Sequence, residues 1–298
     1  MATFQTYQSV GNREDLTDIL TNISPLETWF TSNTGSGKCS ATYHEWQTDA
    51  LGSASSGNAL VEGAETSIGS ITPTTRAGNY TQIMGKAFRI AKTQEVIDKA
   101  GRDSEIAYQT EKHLKELAKD TEYALLFNTA AASGASGTAR KLKGFVGWVA
   151  TNTSTGSAAD VTLTEDILND GLQDVWAQGG SPSTLLCGAL QKRTISAFTT
   201  NTRYMVADEK KLTTAVDVYQ SDFGTVTVRL HHQMNDYKKG EVFILGDMSL
   251  WSKAWLRSVN RMQEPYAGDA DLFAIRGELT LVSKQEKGSG RIFDLAES

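Results

Sequence analysis

The chain has 298 residues, of which 39% are hydrophobic, and a formal net charge of −6. This composition allows one large or two modest packed domains, and the acidic balance argues against a surface devoted to nucleic-acid binding. No apolar run is long enough to span a membrane, and residues 1–15 lack the apolar segment of a signal peptide. We therefore predict no membrane partner, synthesis in the cytoplasm, and free, buried thiols at Cys39 and Cys187.

The N-terminal region, residues 1 to about 38, is polar and contains a short helical pattern from Arg13 to Leu20. Pro25 and its polar neighbours interrupt this pattern. Trp29 and Phe30 then follow as large apolar side chains with few apolar neighbours in the sequence. Such side chains pack on a distant part of the same chain or on another chain, and the sequence leaves both possibilities open.

Two strand patterns enclose a long segment of small residues. Residues 40–49 and 80–92 mix aromatic and β-branched side chains with polar ones, which predicts two strands. Residues 50–79 between them are rich in glycine and serine. An irregular loop of this length is normally functional, and an isolated two-stranded ribbon needs a further surface for stability. We therefore predict that residues 50–79 serve assembly and do not form part of the core.

The longest uninterrupted helical pattern runs from Asp103 to Asn128, with Asp103 and Ser104 as candidate N-caps. It predicts an amphipathic helix on the order of 40 Å long. Glu111 precedes Lys115 by four residues, which favours an ion pair on the exposed side. A short helix capped by Thr93 is predicted just before it. The predicted apolar side of the long helix consists of Ala107, Leu114, Leu117, Thr121, Ala124 and Leu125.

From about residue 160 the pattern changes to short helices alternating with strands. Thr162 and Glu165 form a candidate capping box, and Gly179 with Gly180 ends the helix that follows. We predict that Trp176, which follows Val175 on this helix, lies in the core. The remaining predicted elements are strands at 183–187, 216–219, 225–230, 241–245, 271–283 and 291–295 and a helix at 189–198.

No group of residues predicts catalysis or cofactor binding. The segment from Thr34 to Cys39 resembles the end of a phosphate-binding loop, but it lacks the earlier glycine and the Ser or Thr after Lys38. His231 and His232 are adjacent, so on a strand they would point to opposite faces. We predict no metal site, no cofactor and no enzymatic activity.

Several segments together resemble one protein family. They are NISPLETWF (22–30), TYHEWQTDAL (42–51), NYTQI (79–83), TQEVIDKAGRDSEIAYQ (93–109), LTEDILNDGLQDVW (163–176), KRTISAF (192–198) and VDVYQSDFG (216–224). In this order they resemble the major capsid proteins of tailed bacteriophages, which have the Hong Kong 97 fold. The resemblance implies an α+β fold with an N-terminal arm, an extended loop, a long spine helix, a peripheral domain and an axial domain.

The resemblance also implies a division of the chain. Residues 1–38 would be the N-terminal arm and 39–92 the extended loop with its strands. Residues 93–159 would be the peripheral domain with the spine helix at 103–128, 160–240 the axial domain, and 241–298 largely a return to the peripheral sheet. We expect Trp46, Arg76, Tyr80, Trp29 and Phe30 at subunit interfaces.

The implied function is a subunit that self-assembles as hexamers and pentamers into an icosahedral head around double-stranded DNA. A portal, a separate scaffolding protein and a decoration protein are the expected partners, and we expect no cleaved scaffolding domain at the N-terminus. The expected locations are the virion and, during assembly, the host cytoplasm. The alternatives are an encapsulin-type shell around enzymes and, more remotely, a soluble α/β enzyme. Because the interval from Cys39 to Gly85 contains no lysine, we expect no lysine–asparagine cross-links between subunits.

Overall fold

A computed structural model describes residues 27–66, 69–98, 103–155, 160–198 and 217–297. Within these residues the chain forms a four-stranded sheet, a six-stranded sheet and a two-stranded ribbon. The helices are α1 (Trp29–Asn33), α2 (Lys92–Val96), α3 (Glu105–Phe127), α4 (Phe145–Trp148), α5 (Glu165–Ala177), α6 (Ala189–Ala197) and α7 (His232–Tyr237). The strands are β1 (Gly35–Lys38), β2 (Tyr43–Thr48), β3 (Thr75–Tyr80), β4 (Gln82–Ala91), β5 (Thr153–Thr155), β6 (Thr184–Cys187), β7 (Val218–Ser221), β8 (Gly224–Leu230), β9 (Val242–Leu245), β10 (Trp251–Glu264), β11 (Ala270–Ser283) and β12 (Gly290–Phe293).

The four-stranded sheet has the order β1-β10-β11-β4 and carries α3 on one face. β1 pairs with β10 in parallel, and the other pairs are antiparallel. On β4, alternate apolar residues Met84, Phe88 and Ile90 are buried. The segment from Thr34 to Cys39 that resembled a phosphate-binding loop therefore contains an edge strand, with Gly35 opposite Ser252.

Helix α3 confirms the predicted long helix and begins at Glu105, with the Ser104 hydroxyl accepting a hydrogen bond from the Ala107 N–H at 3.2 Å. Lys115 contacts Glu111 at 2.6 Å, as predicted. The predicted apolar side is right in the C-terminal half and wrong in the N-terminal half, where Leu114 is 41% exposed. The physical reason is that His113 stacks on Phe88, with 4.9 Å between ring centroids, which turns its neighbour Leu114 outward.

The six-stranded sheet has the order β5-β12-β9-β6-β8-β7. Apolar residues of α5 and α6 pack on one face, where they meet Leu185 and Ile244. Leu186 and Phe243, whose side chains point the other way, belong to the core of the four-stranded sheet and α3. The two cores therefore share strands β6 and β9. Residues 241–298 supply strands to both sheets, since β9 and β12 lie in the six-stranded sheet, which refines the expected return to the peripheral sheet.

Helix α5 differs from its prediction in two respects. Its N-cap is Thr164, whose hydroxyl accepts a hydrogen bond from the Ile167 N–H, and not Thr162. Trp176 is 58% exposed, so its assignment to the core was wrong. Leu172 and Val175 fill the inward face of the helix, and the next residue projects about 100° away from that face. The indole instead contacts Phe223, with 5.9 Å between centroids.

Other element boundaries move by a few residues. The N-cap of helix α2 is Ala91, two residues before the expected Thr93. The predicted helix from Arg13 to Leu20 lies outside the described residues. Within the described ranges, every helix is too short or too polar to cross a membrane.

Candidate assembly surface

The two-stranded ribbon projects the long loop away from both sheets. In the ribbon, β2 pairs with β3 in antiparallel register, from Tyr43 opposite Tyr80 to Thr48 opposite Thr75. The predicted pairing of the strand at 40–49 with the strand at 80–92 is therefore wrong, and β3 lies within the segment predicted as loop. The chain instead changes partner at Thr81, because β4 beyond it pairs with β11. The loop proper is therefore residues 49–74.

Every described residue of the 49–74 loop is exposed, including its apolar side chains. Leu51 is 101% exposed and Ile71 is 95% exposed. Local hydrogen bonds stabilise turns within the loop, such as that from the Ala64 N–H to the Val61 carbonyl at 2.9 Å. Exposed apolar side chains on a long projecting loop mark an interaction surface, because leaving them in water is unfavourable.

The ribbon residues that were expected at interfaces differ in their surroundings. Trp46 is half-buried against Trp148 of the same chain, with 5.4 Å between ring centroids. Arg76 is exposed and lies 3.6 Å from Glu45. Tyr80 is half-buried and stacks with Tyr43 at 4.6 Å. All three lie on the ribbon that carries the loop, and their role in subunit contacts stays a prediction.

Trp29 and Phe30 pack within their own subunit. Phe30 has no exposed surface and contacts Phe145 and Trp251, with ring centroids 6.0 and 6.1 Å away. Phe30 is therefore a core residue, and its assignment to an interface was wrong. It packs on distant parts of its own chain and not on another chain. Trp29 stays half-buried, with the Arg229 guanidinium 5.7 Å from its ring.

The second candidate contact surface is the face of the four-stranded sheet opposite α3. By register, Ile83 on β4 and Met262 on β10 lie on this face, and both are exposed. Arg89 lies on the same face and donates a hydrogen bond to the Tyr266 hydroxyl at 2.7 Å. The loop, by contrast, carries Asp49, Glu62 and Glu65 and contains no lysine or arginine. The loop is therefore acidic, the sheet face carries Arg89 and Arg276 beside Glu264, and both surfaces expose apolar groups.

Comparison with known proteins identifies relatives of this chain. A model of the SU10 major capsid protein family matches residues 2–296. The major capsid protein of Escherichia phage Phieco32 is 37% identical over 123 residues, which are 41% of this chain and 35% of the length of that relative. The matched region thus covers about a third of the length of that relative.

Solved structures show the same fold at low sequence identity. The capsid of a native GTA particle superposes with a TM-score of 0.72 and 11% identity, over 98% of both chains. The encapsulin of the holo-SrpI complex from Synechococcus elongatus PCC 7942 superposes with a TM-score of 0.61 and 10% identity, over 100% of this chain and 98% of that chain.

The long helix on a four-stranded sheet, the six-stranded domain and the projecting ribbon are those of a shell-forming protein with the Hong Kong 97 fold. This confirms the α+β architecture that the sequence implied. The chain belongs to the SU10 major capsid protein family.

Proposed function

We propose that this protein is the repeating subunit of an icosahedral bacteriophage head, arranged as hexamers and pentamers around double-stranded DNA. Its role is structural and not catalytic. The observation that carries the proposal is the 49–74 loop, whose apolar side chains are exposed on a fold shared with shell proteins. Burying such a loop requires a second surface, and in a shell every copy offers one.

The division of the chain follows the same proposal. Residues 1–38 act as an N-terminal arm, 39–92 as the extended loop and its strands, and 93–159 as the peripheral domain with its spine helix. Residues 160–240 form most of the axial domain around the hexamer and pentamer axes, and 241–298 complete both sheets. Helix α3 ties these parts together, because its buried half contacts both α1 and the four-stranded sheet.

The 49–74 loop lies over a neighbouring subunit, on the sheet face that carries Ile83 and Met262. Leu51 and Ile71 lose their exposed area there, and the acidic side chains of the loop approach Arg89. A stable contact buries about 1,000 Å² or more, which the loop supplies together with Trp46, Arg76 and Tyr80 on the ribbon. Individual exposed ion pairs contribute only about 0–1 kcal/mol, but they recur at every copy.

The remaining partners are a portal, a separate scaffolding protein and a decoration protein, which join the subunit in the host cytoplasm before the head becomes part of the virion. Packaged DNA is held without sequence recognition. The formal net charge of −6 supports this assignment, since an acidic wall does not bind tightly to the polyanion inside it.

Replacing residues 49–74 with Asn-Gly tests the proposal. This dipeptide forms a tight hairpin turn and leaves the register of β2 and β3 unchanged. We expect the variant to melt cooperatively at the temperature of the wild type and to form no closed shells in velocity sedimentation or electron microscopy. A variant that still assembles, or one that fails to fold, would contradict the assignment of the loop to assembly.

Point substitutions refine this test. The double variant Leu51→Ser and Ile71→Ser removes the two most exposed large apolar side chains of the loop, whereas Ser53→Ala and Ser70→Ala changes the same loop without removing them. We expect the first pair to reduce shell yield and the second pair to leave it unchanged. Equal yields from the two pairs would show that Leu51 and Ile71 do not contribute to assembly.

An encapsulin-type compartment is the second candidate, because the SrpI encapsulin superposes over the whole chain. The contents of the shell distinguish the two functions. A phage head purified from infected cells contains DNA that is protected from nuclease, whereas a compartment shell purifies with a stoichiometric protein load.

A further inference from the structure

The junction between the ribbon and the sheet is built from buried polar side chains. The ribbon strand β3 ends at Tyr80 and β4 begins at Gln82, so Thr81 is the sole residue between them. Asn79, Thr81 and Thr280 have no exposed surface, and Glu278 is almost completely buried. Burying polar groups is costly unless they are hydrogen-bonded, so their bonding partners indicate what the junction does.

Asn79 connects β3 to two separate parts of the body. Its side-chain Nδ2 donates to the carbonyl oxygens of Lys143 at 2.9 Å and Leu281 at 2.8 Å. Its Oδ1 accepts the Lys143 N–H at 2.8 Å. The Asn79 side chain thus bonds the ribbon to the backbone of two other segments, β11 and the segment before α4. Three bonds in different directions fix the orientation of this strand end.

Glu278 forms the second part of the junction. Its Oε1 accepts hydrogen bonds from the Thr81 hydroxyl at 2.7 Å and from Arg140 at 2.5 Å. Its Oε2 accepts a hydrogen bond from Arg257 Nε at 3.0 Å. A carboxylate paired in this way favours one geometry, because movement of Thr81 would leave a buried charge less well satisfied.

Both ends of the ribbon are attached at the same level. The Thr280 hydroxyl donates to the Tyr80 carbonyl at 2.9 Å, and the Thr81 N–H donates to the Thr42 carbonyl at 2.8 Å. Beyond this level the ribbon extends for six residues, or about 20 Å, and Trp46 partway along it packs on Trp148 of the body. A tilt of about 10° at the junction would therefore displace the start of the loop by about 3–4 Å over that length. Contacts with a neighbouring subunit do not tolerate an error of this size.

We propose that Asn79 and Glu278 are positioning residues that set the angle at which the ribbon leaves the body and thereby direct the 49–74 loop at the neighbouring subunit. The ribbon moves with the body as one unit, and any change in the direction of the loop takes place beyond Thr48 and Thr75. This inference rests on the proposed assembly function, because it explains how the loop reaches its partner.

The distance between two spin labels, measured on the unassembled subunit, tests the orientation directly. The labels are attached at Gln47→Cys on the ribbon and Lys284→Cys on the body, both at exposed positions, in a Cys39→Ser background. We expect one narrow distance distribution with Asn79 present and a clearly broadened one in Asn79→Ala, together with a loss of closed shells. Thr75→Ala is the matched control, because its hydroxyl bonds only within the ribbon, to Thr48. It is expected to change neither result.

Thr81→Val is the second variant, since it removes the hydroxyl that contacts Glu278 and keeps the side-chain volume. If Asn79→Ala does not fold, the distance distribution and the shell yield are measured on Thr81→Val instead. If a folded variant gives a distance distribution as narrow as that of the wild type, the proposal is wrong. It is also wrong if a variant with a broadened distribution forms shells in normal yield. If the wild type itself forms no shells, the proposed function fails, whereas the distance measurement still tests the junction.

Discussion

The carboxylate of Glu122 on α3 accepts the backbone N–H of Phe30, 92 residues earlier in the chain, at 2.7 Å. The same carboxylate accepts the N–H of Thr31 at 2.7 Å and contacts His231 Nε2 at 3.2 Å. The first N–H groups of a helix have no partners within it, and Glu122 supplies them for α1. One buried side chain thus joins the end of the N-terminal region, the long helix and the segment before α7.

Removing this carboxylate is expected to destabilise the subunit. Glu122→Ala leaves the Phe30 N–H and the His231 ring buried without their acceptor, at a cost of about 3 kcal/mol. Chemical denaturation monitored by tryptophan fluorescence measures the loss. Glu111→Ala on the exposed side of the same helix is the matched control and is expected to leave the midpoint unchanged. Similar midpoints for the two variants would show that Glu122 does not hold α1.

Trp176→Ala is expected to have little effect on the stability of the subunit, because the indole projects into solvent beside Phe223. Leu172→Ala, one turn earlier on the buried face of α5, should cost about 2–5 kcal/mol. The two melting temperatures test the orientation of the helix. If Trp176→Ala is as destabilising as Leu172→Ala, the indole lies in the core after all.

The two thiols are expected to differ in reactivity. Burial raises the pKa of Cys187 to about 12, whereas Cys39 is partly accessible. At mildly alkaline pH a thiol reagent should label at most Cys39 in the folded subunit and both thiols after unfolding. Rapid labelling of both in the native state would place Cys187 at the surface.

The same burial predicts the direction of a pH effect. The pKa of Cys187 is raised above its ordinary value of 9.0, so folding favours the protonated thiol. Its contribution to stability is complete below pH 9 and is lost as the pH rises from about 9 towards about 12. Denaturation midpoints between pH 8 and about 10.5 should therefore fall less steeply in Cys187→Ala than in the wild type. Parallel slopes would exclude this contribution.

Assembled shells are expected to lack covalent links between subunits. The 49–74 loop contains no lysine, and Lys86, which lies on β4 beyond the ribbon, bonds Asp120 at 2.7 Å. That hydrogen bond raises the pKa of Lys86 and keeps the amine protonated, so it is a poor nucleophile. Boiling purified shells in denaturing detergent should release one band near 32.3 kDa. A ladder that survives reducing agent would contradict this expectation.

The sequence predicted what depends on local patterns. The long helix from Glu105 and the strand Ala270–Ser283 follow from periodicity over many residues. The prediction for Trp176 was wrong because the sequence does not distinguish an apolar residue at the edge of the buried face of a helix from one within that face. Strand β10 was not predicted, because residues 258–263 are exposed on both faces of the strand and their sequence does not alternate between apolar and polar residues.

The junction of the ribbon could not be predicted at all. Asn79 and Glu278 are nearly 200 residues apart in sequence and meet only after the sheet has formed. No local pattern distinguishes a buried asparagine or glutamate from an exposed one, since each is satisfied by partners from other elements. Phe30 shows the same limit, because its burial depends on Phe145 and Trp251 from distant parts of the chain.

A cryo-electron microscopy reconstruction of particles formed by the expressed protein tests the account most directly. We expect closed icosahedral shells of hexamers and pentamers in which each 49–74 loop lies on the sheet face of a neighbour near Ile83 and Met262, with the ribbon still bonded to the body through Asn79 and Glu278. A protein that remains a 32.3 kDa monomer under all assembly conditions, or shells in which the loop contacts only its own subunit, would contradict the account.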